Sequence, residues 1–140
     1  MSDSQRFPVA AHVLAYLAHK DALTAASAVS SSELAASVAT NPVVVRRVTA
    51  MLARAGLICT RRGASGGAWL ARPADRIGLD AVLNAVNECA RIGVPRIGSQ
   101  ACPIGERLPK AVQAAINSAD EAAARQLGST TVADLLTAAE

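Results

Sequence analysis

The sequence interrupts its helical pattern at Thr40-Asn41-Pro42, where one helix has to end and another can begin. Pro42 has no backbone N–H, so it cannot continue a helix from the residues before it. Thr40 or Asn41 can instead cap a new helix that holds Pro42 in its first turn, where the missing N–H costs nothing. We expect this helix over residues 42–55, because Gly56 readily adopts the left-handed conformation that ends helices.

A short helix precedes this turn. Ser30 and Glu33 have the spacing of a capping box, which predicts a helix over residues 31–39. An earlier helix is expected over residues 6–20, where valine and leucine recur at helical spacing and Pro8 falls in the first turn. Two short helices joined by a tight turn form the helix-turn-helix pattern.

A β-hairpin is predicted directly after this motif. Two strand-like runs, residues 57–61 and 68–72, flank the sequence RGASGG, in which three glycines supply the positive φ angles of a tight turn. Trp69 is expected to anchor the hairpin on the helices, and Cys59 is expected to be packed within it. A hairpin in this position is the wing of a winged helix-turn-helix.

Three further helices and a long loop are predicted after the hairpin. The helices are expected over residues 77–89, 106–127 and 130–138, with Pro109 in the first turn of the longest. Residues 91–105 hold three glycines and two prolines and should form a loop. The longest helix has apolar residues spaced as a packing seam: Leu108, Val112, Ala115, Ile116, Ala119 and Ala123. The expected fold is mainly α-helical with a small β-hairpin.

Positive charge is concentrated in the first half of the chain. Residues 1–77 carry a net charge of +5, whereas residues 78–140 carry −2. From Asn41 to Arg72 there are six arginines and no acidic residue. Such a local positive field usually has a polyanion as its partner, although a solvated basic face without any ligand is the simpler alternative.

One side of the helix predicted over residues 42–55 is rich in arginine. At 100° per residue, five side chains lie within roughly 60° of one direction, and the opposite side is apolar. These five are Val43, Arg46, Arg47, Ala50 and Arg54. Arginine can donate two hydrogen bonds to a guanine edge or clamp a phosphate, and small neighbours let the helix approach the floor of a major groove.

Two groups of residues are therefore candidates for contacts with duplex DNA. The N-terminus of the 42–55 helix would enter the major groove, while the hairpin would reach the adjacent minor groove or its backbone. The helix candidates are Asn41, Pro42, Val43, Arg46, Arg47 and Arg54. The hairpin candidates are Arg61 and Arg62, which flank the tip, and Ser65, Gly66 and Gly67, whose N–H groups suit phosphate. A winged helix that binds proteins and never touches DNA is the alternative.

Other function classes find little support. No nucleophile–base set, carboxylate pair or phosphate loop is recognisable, so we expect no enzyme. His12 and His19 have no acidic or cysteine partner nearby, and we predict no metal site. The apolar stretches are shorter than a membrane span and the N-terminus does not resemble a signal peptide, so we expect a cytoplasmic protein without a membrane partner. The odd number of cysteines, Cys59, Cys89 and Cys102, argues against a disulfide framework.

Residues 40–72, TNPVVVRRVTAMLARAGLICTRRGASGGAWLAR, resemble the recognition helix and wing of the Rrf2 family of bacterial transcriptional regulators. The resemblance covers most of residues 6–90. It is weaker afterwards, where CPIG and a long helix are similar to a branch that lacks the usual three-cysteine cluster motif. It implies a homodimer held by the 106–127 helix, bound to a near-palindromic operator mainly as a repressor and sometimes as an activator. We therefore expect a DNA-binding domain at residues 1–77 and a sensing and dimerisation region at residues 78–140.

The resemblance also raises the question of what signal is sensed. Several family members carry an iron–sulfur cluster on three closely spaced cysteines, but here only Cys89 and Cys102 lie in that region. A cluster would need Glu88, Glu106 or a histidine as ligands, or would bridge subunits, so we expect no cofactor. A thiol switch is a second interpretation, since a helix N-terminus activates Cys102 and the 91–105 loop could bring Cys89 within disulfide range. Two buried, inert cysteines are the third.

Overall fold

The computed structural model describes residues 3–87 and 92–140. In these residues the chain forms a mainly helical fold with one two-stranded hairpin, which confirms the predicted winged helix-turn-helix class. The elements are α1 (Asp3–His19), α2 (Ser31–Val38), α3 (Pro42–Arg54), β1 (Ile58–Arg61), β2 (Gly67–Leu70), α4 (Leu79–Val86), α5 (Pro103–Gly128) and α6 (Val132–Ala139). Short 3-10 turns occupy Ala25–Ser27 and Ala74–Arg76.

The caps of the helix-turn-helix form as the sequence predicts. The Ser30 hydroxyl accepts a hydrogen bond from the N–H of Glu33 at 3.1 Å and begins α2. Ala39 ends this helix in the left-handed conformation, with φ of 62°. The side chain of Asn41 then accepts from the N–H of Val43 at 2.8 Å and begins α3. These local hydrogen bonds fix the residues at which α2 and α3 begin.

A single apolar core lies between the first and last helices of the chain. The apolar side of α3 is buried in it, opposite the arginines, as predicted. Both α4 and α6 contribute to the same core: α4 packs on α1 and α3, and α6 packs on α1. The assignment of DNA binding to residues 1–77 and of sensing and dimerisation to residues 78–140 stays a prediction. The fully buried side chains include Leu14, Leu17, Val45, Val48, Leu52, Val82, Val86 and Val132.

The hairpin is attached to the end of α1. Strands β1 and β2 are antiparallel, with Ile58 opposite Leu70. The segment after α1, which the sequence predicts to be a loop, pairs with β2. Val29 and Ala68 exchange hydrogen bonds of 2.9 and 2.8 Å, and the N–H of Leu70 donates to the carbonyl of Ala22 at 2.7 Å. The hairpin therefore has a fixed position beside the helices.

The starts of α1 and α5 differ from the predictions. Helix α1 begins at Asp3, so Pro8 lies inside the helix and not in its first turn. Helix α5 begins at Pro103, because the sulfur of Cys102 caps it by accepting from a backbone N–H. Pro109 is therefore also inside its helix. Each proline removes one hydrogen bond close to a helix start, and the later turns form without it.

Helix α4 begins later than predicted. It spans Leu79–Val86 and its C-cap, Asn87, is extended, whereas a helix over residues 77–89 is expected; residues 88 and 89 lie outside the described residues. Ile77 is extended instead, because its carbonyl accepts the N–H of Val132 at 2.9 Å. The N–H of Leu79 donates to the carbonyl of Thr130 at 2.9 Å. These two hydrogen bonds tie the junction between α5 and α6 to the start of α4.

Most of α5 projects away from the core. Its C-terminal end reaches the core through Leu127, but none of its residues is fully buried. Ile104, Leu108 and Val112 are 66%, 53% and 39% exposed. These three residues follow one another at a spacing of four and form an apolar stripe along one side of the helix. Most of the packing seam predicted for α5 is therefore exposed in the described residues.

Candidate nucleic-acid interface

The outward side of α3 carries the residues predicted for it. Arg46, Arg47 and Arg54 are exposed, and Val43 is 46% exposed at the N-terminal end of the helix. Ala50 is also exposed and keeps the surface between the arginines low. The three guanidinium groups therefore project from one side of a single helix.

These guanidinium groups are free of carboxylates. Within the described part of the chain, no salt bridge involves an arginine of α3. Glu33, the acidic residue of α2, turns toward α1, where it accepts from the Tyr16 hydroxyl at 2.8 Å and pairs with Lys20 at 3.3 Å. These two contacts hold the pKa of the Glu33 carboxyl below its usual value, and the hydrogen bond from Tyr16 has the larger effect. The surface of α3 consequently keeps its positive charge.

A cleft of about 490 Å³ separates α3 from the hairpin. Arg46 lines it from α3, and Arg62 lines it from the hairpin. Two of the predicted contact residues from different elements therefore face one groove. Arg54 lies elsewhere, beside α4, about 12 Å from Arg46 along the helix axis at 1.5 Å per residue.

Three polar residues that the sequence did not single out also line this cleft. Ser31 begins α2 and Thr60 lies in β1, whereas Thr49, in α3, is buried and donates its hydroxyl to the carbonyl of Arg46 at 3.0 Å. A signal for Thr60 was present in the period-two alternation of a strand, since Thr60 lies on the same side as the buried Ile58. For Ser31 the sequence carries no comparable signal, because its place depends on how the hairpin packs beside α2.

Arg61 and Gly66 have roles within the hairpin itself. Nη2 of Arg61 donates to the carbonyl oxygen of Ser65 at 3.0 Å and to that of Ala25 at 3.4 Å. The N–H of Gly66 donates to the carbonyl of Gly63 at 3.0 Å. The expectation that Gly66 offers its N–H to a phosphate is therefore wrong, because the turn already uses that group.

Gly67 is required by close packing of the backbone. It adopts φ of +151°, and a Cβ there would collide with the carbonyl oxygen of Val29. Ser65 and Arg62 at the tip remain exposed. The phosphate contacts expected of Ser65, Gly67 and Arg61 stay predictions.

The cysteines are placed differently from one another. Cys59 is exposed on β1 opposite Trp69, so its predicted packing is wrong: it lies on the strand face away from Ile58. Trp69 is partly buried against the core, as expected. Cys102 is exposed, and hydrogen bonds from backbone amides of α5 lower the pKa of its thiol, which contradicts a buried, inert Cys102. Cys89 lies outside the described residues.

The described ranges contain neither a cluster of metal ligands nor a membrane-spanning helix. In residues 3–87 and 92–140 no three histidine, cysteine or acidic side chains are grouped to hold a metal ion. His12 is exposed, with Nε2 2.9 Å from the Ser37 hydroxyl, and the ring of His19 lies 6.1 Å from that of Tyr16. No helix in these ranges combines the length and apolarity needed to cross a bilayer.

Known proteins of similar sequence and fold share this architecture. The chain is 31% identical over 134 residues to YwnA of Bacillus subtilis (strain 168), named as an HTH-type transcriptional regulator, with 95% of this chain and 96% of YwnA aligned. Its fold is similar to that of a Lactobacillus plantarum protein described as a transcriptional regulator, with a TM-score of 0.76, 26% identity and coverage of 95% and 88% of the two chains. It is also similar to oxidized CymR of Staphylococcus aureus, with a TM-score of 0.66, 23% identity and coverage of 97% and 96%.

The family model named Rrf2, described as an iron-dependent transcriptional regulator, matches residues 3–138. The donors in the described residues do not fit an iron centre, because Cys102 caps α5 and Cys59 lies in the hairpin, with no third ligand grouped beside either. The match nevertheless spans almost the whole chain and agrees with the helix-turn-helix, the hairpin and the arginine surface. The chain belongs to the Rrf2 family and is a DNA-binding transcriptional regulator with a winged helix-turn-helix fold.

Proposed function

We propose that this regulator binds a near-palindromic operator as a homodimer and acts mainly as a repressor. In each half-site α3 enters the major groove, and the hairpin follows the adjacent minor groove or its backbone. The observation that carries this proposal is the cleft that Arg46 and Arg62 line from two sides. A duplex places a strand of phosphates between its two grooves, and the two elements are arranged around such a strand.

Within α3, we assign different tasks to different positions. Asn41, Pro42 and Val43 lie at the exposed N-terminal end and enter the groove first. Arg46 and Arg47 follow one turn later, where a guanidinium can read the O6 and N7 atoms of guanine. Arg54, at the other end of the helix, contacts the phosphate backbone.

The dimer forms through α5. Its apolar stripe of Ile104, Leu108 and Val112 is exposed in the part of the chain that the structure describes. A second copy related by a two-fold axis presents the same stripe, and the two stripes bury each other. Residues 78–140 then serve dimerisation and sensing, while residues 1–77 bind DNA.

The sensing event that we propose is a change in the redox state of Cys102 together with Cys89. Cys102 is exposed at the N-terminal end of the dimerisation helix, and the lowered pKa of its thiol favours the reactive thiolate. Modification there would disturb the cap of α5 and, through α5, the spacing of the two DNA-binding domains. The protein acts in the cytoplasm and catalyses no reaction.

Selection of duplexes from a random pool, followed by titration at two salt concentrations, tests the proposal. Arg46→Ala or Arg47→Ala is expected to weaken the selected duplex by about 1–3 kcal/mol, with a smaller loss on a shuffled duplex. Arg125→Ala on α5 is the matched control and should change neither. Equal binding of both duplexes by every variant would exclude sequence-specific recognition by α3. Failure to bind any duplex would favour the protein-interaction alternative.

A further inference from the structure

The cleft between α3 and the hairpin carries hydroxyl and guanidinium donors that suit a backbone phosphate. We propose that Ser31, Thr60 and Arg62 hold a single backbone phosphate of each operator half-site and thereby set how far α3 enters the major groove. The inference rests on the proposed function, since it concerns where the duplex sits on the same surface. It adds Ser31 and Thr60 as positioning residues.

The three donors proposed to hold the phosphate come from three different segments of the chain. Ser31 begins α2, Thr60 lies in β1, and Arg62 begins the turn of the hairpin. Both hydroxyls can donate to a phosphate oxygen, and Arg62 adds a charge that no carboxylate neutralises within the described residues. Arg61 is not part of this set, because its Nη2 already donates to two carbonyls.

No acidic side chain opposes an anion in this cleft. The chain has no acidic residue between Asn41 and Arg72. Glu33 is two residues after Ser31, but its carboxylate is held on the α1 side by Tyr16 and Lys20. The local field is therefore positive, as a phosphate requires.

The floor of the cleft is buried and rigid. Val29 and Ala68 are each 3% exposed and joined by two backbone hydrogen bonds, and Leu34 is 1% exposed. Gly67 packs directly on the Val29 backbone, so the hairpin cannot move closer without a collision. A fixed floor means that the donors keep their positions before DNA arrives, which lowers the entropic cost of binding.

Contacts to phosphate orient a protein on the duplex but carry no base information. Loss of the hydroxyls should therefore weaken all sequences alike. We expect Ser31→Ala with Thr60→Val to lower affinity about tenfold on both a selected and a shuffled duplex. The salt dependence should stay unchanged, because no charge is removed. Arg62→Gln should also weaken both duplexes and should reduce the salt slope by about 0.9, the value for one released counterion.

The contacted phosphate can be located with a series of duplexes, each carrying one neutral methylphosphonate at a different position. The selected duplex should be about 30 base pairs, which is long enough for two half-sites. At one position in each half-site, the unaltered chain should lose about tenfold in affinity, whereas Arg62→Gln should lose less than about twofold, since a removed contact cannot be lost again. Ser32→Ala, beside Ser31 but outside the cleft, and Arg125→Gln are the controls and should behave as the unaltered chain.

Two results would overturn the proposal in distinguishable ways. If every methylphosphonate weakens the unaltered chain and Arg62→Gln equally, while both still discriminate between duplexes, the cleft holds no phosphate and the regulator assignment stands. If neither the unaltered chain nor any variant binds a duplex, the proposed function itself fails. Thermal unfolding of each variant, expected to match the unaltered chain, shows that losses of affinity arise in the folded state.

Discussion

Leu108 on α5 offers a quantitative test of how two copies associate. It lies in the middle of the apolar stripe and is 53% exposed in the single chain. In a two-fold dimer the same side chain contributes twice, once from each copy. Leu108→Ala should therefore weaken the dimer while leaving the fold of each chain intact, because no residue of α5 is fully buried.

The size of the effect follows from the exposed fraction. Complete burial of a leucine side chain is worth about 1.5–3 kcal/mol. Roughly half of that surface remains to be buried at Leu108, so its removal should cost about 1 kcal/mol per copy and about 2 kcal/mol per dimer. At about 1.4 kcal/mol for each factor of ten, the dissociation constant of the dimer should rise about 30-fold.

Sedimentation equilibrium over a range of protein concentrations measures this constant directly. Lys110→Ala is the matched control, since Lys110 is exposed and lies about 200° around the same helix from Leu108. If both variants dissociate at the same concentration as the unaltered chain, the apolar stripe is not the dimer interface. Equal weakening by both variants would show that the loss is not specific to the apolar stripe.

Three further changes test packing and titration. Gly67→Ala should destabilise the fold by about 1–3 kcal/mol, because its Cβ would meet the Val29 carbonyl at positive φ; an unchanged urea midpoint would contradict this. In a variant that keeps Cys102 as its single cysteine, the alkylation rate should rise with a midpoint below that of the urea-unfolded chain, because backbone amides of α5 lower the pKa of the thiol; an equal or higher midpoint refutes that. Tyr16→Phe should raise the pKa of Glu33 toward its usual value, as followed by NMR. Because the pKa of Glu33 is lowered in the folded state, ionised Glu33 stabilises the fold at neutral pH, and this stabilisation is lost as the pH falls through that pKa. Tyr16→Phe should therefore reduce the loss of stability in acid. An unchanged pKa of Glu33 would exclude the tyrosine as the main cause of the shift.

The predictions that proved right depend on residues close together in the chain. The caps at Ser30 and Asn41 each join a side chain to an N–H two or three residues away, so the sequence contains both partners. The two sides of α3 follow from helix periodicity, and Val45, Val48 and Leu52 are buried as expected, whereas Ala55 is exposed. Helix-turn-helix, hairpin and arginine surface could therefore be predicted before any coordinates were known.

Two differences between the predicted and the observed structure depend on partners far away in sequence. Ile77 is not part of α4, because its carbonyl accepts a hydrogen bond from the N–H of Val132, which is 55 residues later. Val29 forms an isolated β-bridge with Ala68, which is 39 residues later. Neither pairing has a local signal, since backbone hydrogen bonds do not depend on which side chains the residues carry.

The candidate site divides along the same line. Sequence alone determined that six arginines and no carboxylate occupy residues 41–72, and that three of them share one side of a helix. Only the tertiary structure decided that Arg46 and Arg62 line one cleft with Ser31 and Thr60, and that Arg61 is directed to backbone carbonyls. Charge is a property of residue types and can be counted along a chain. The cleft exists only after the hairpin has packed beside α2 and α3, because its walls come from segments that are not adjacent in the sequence.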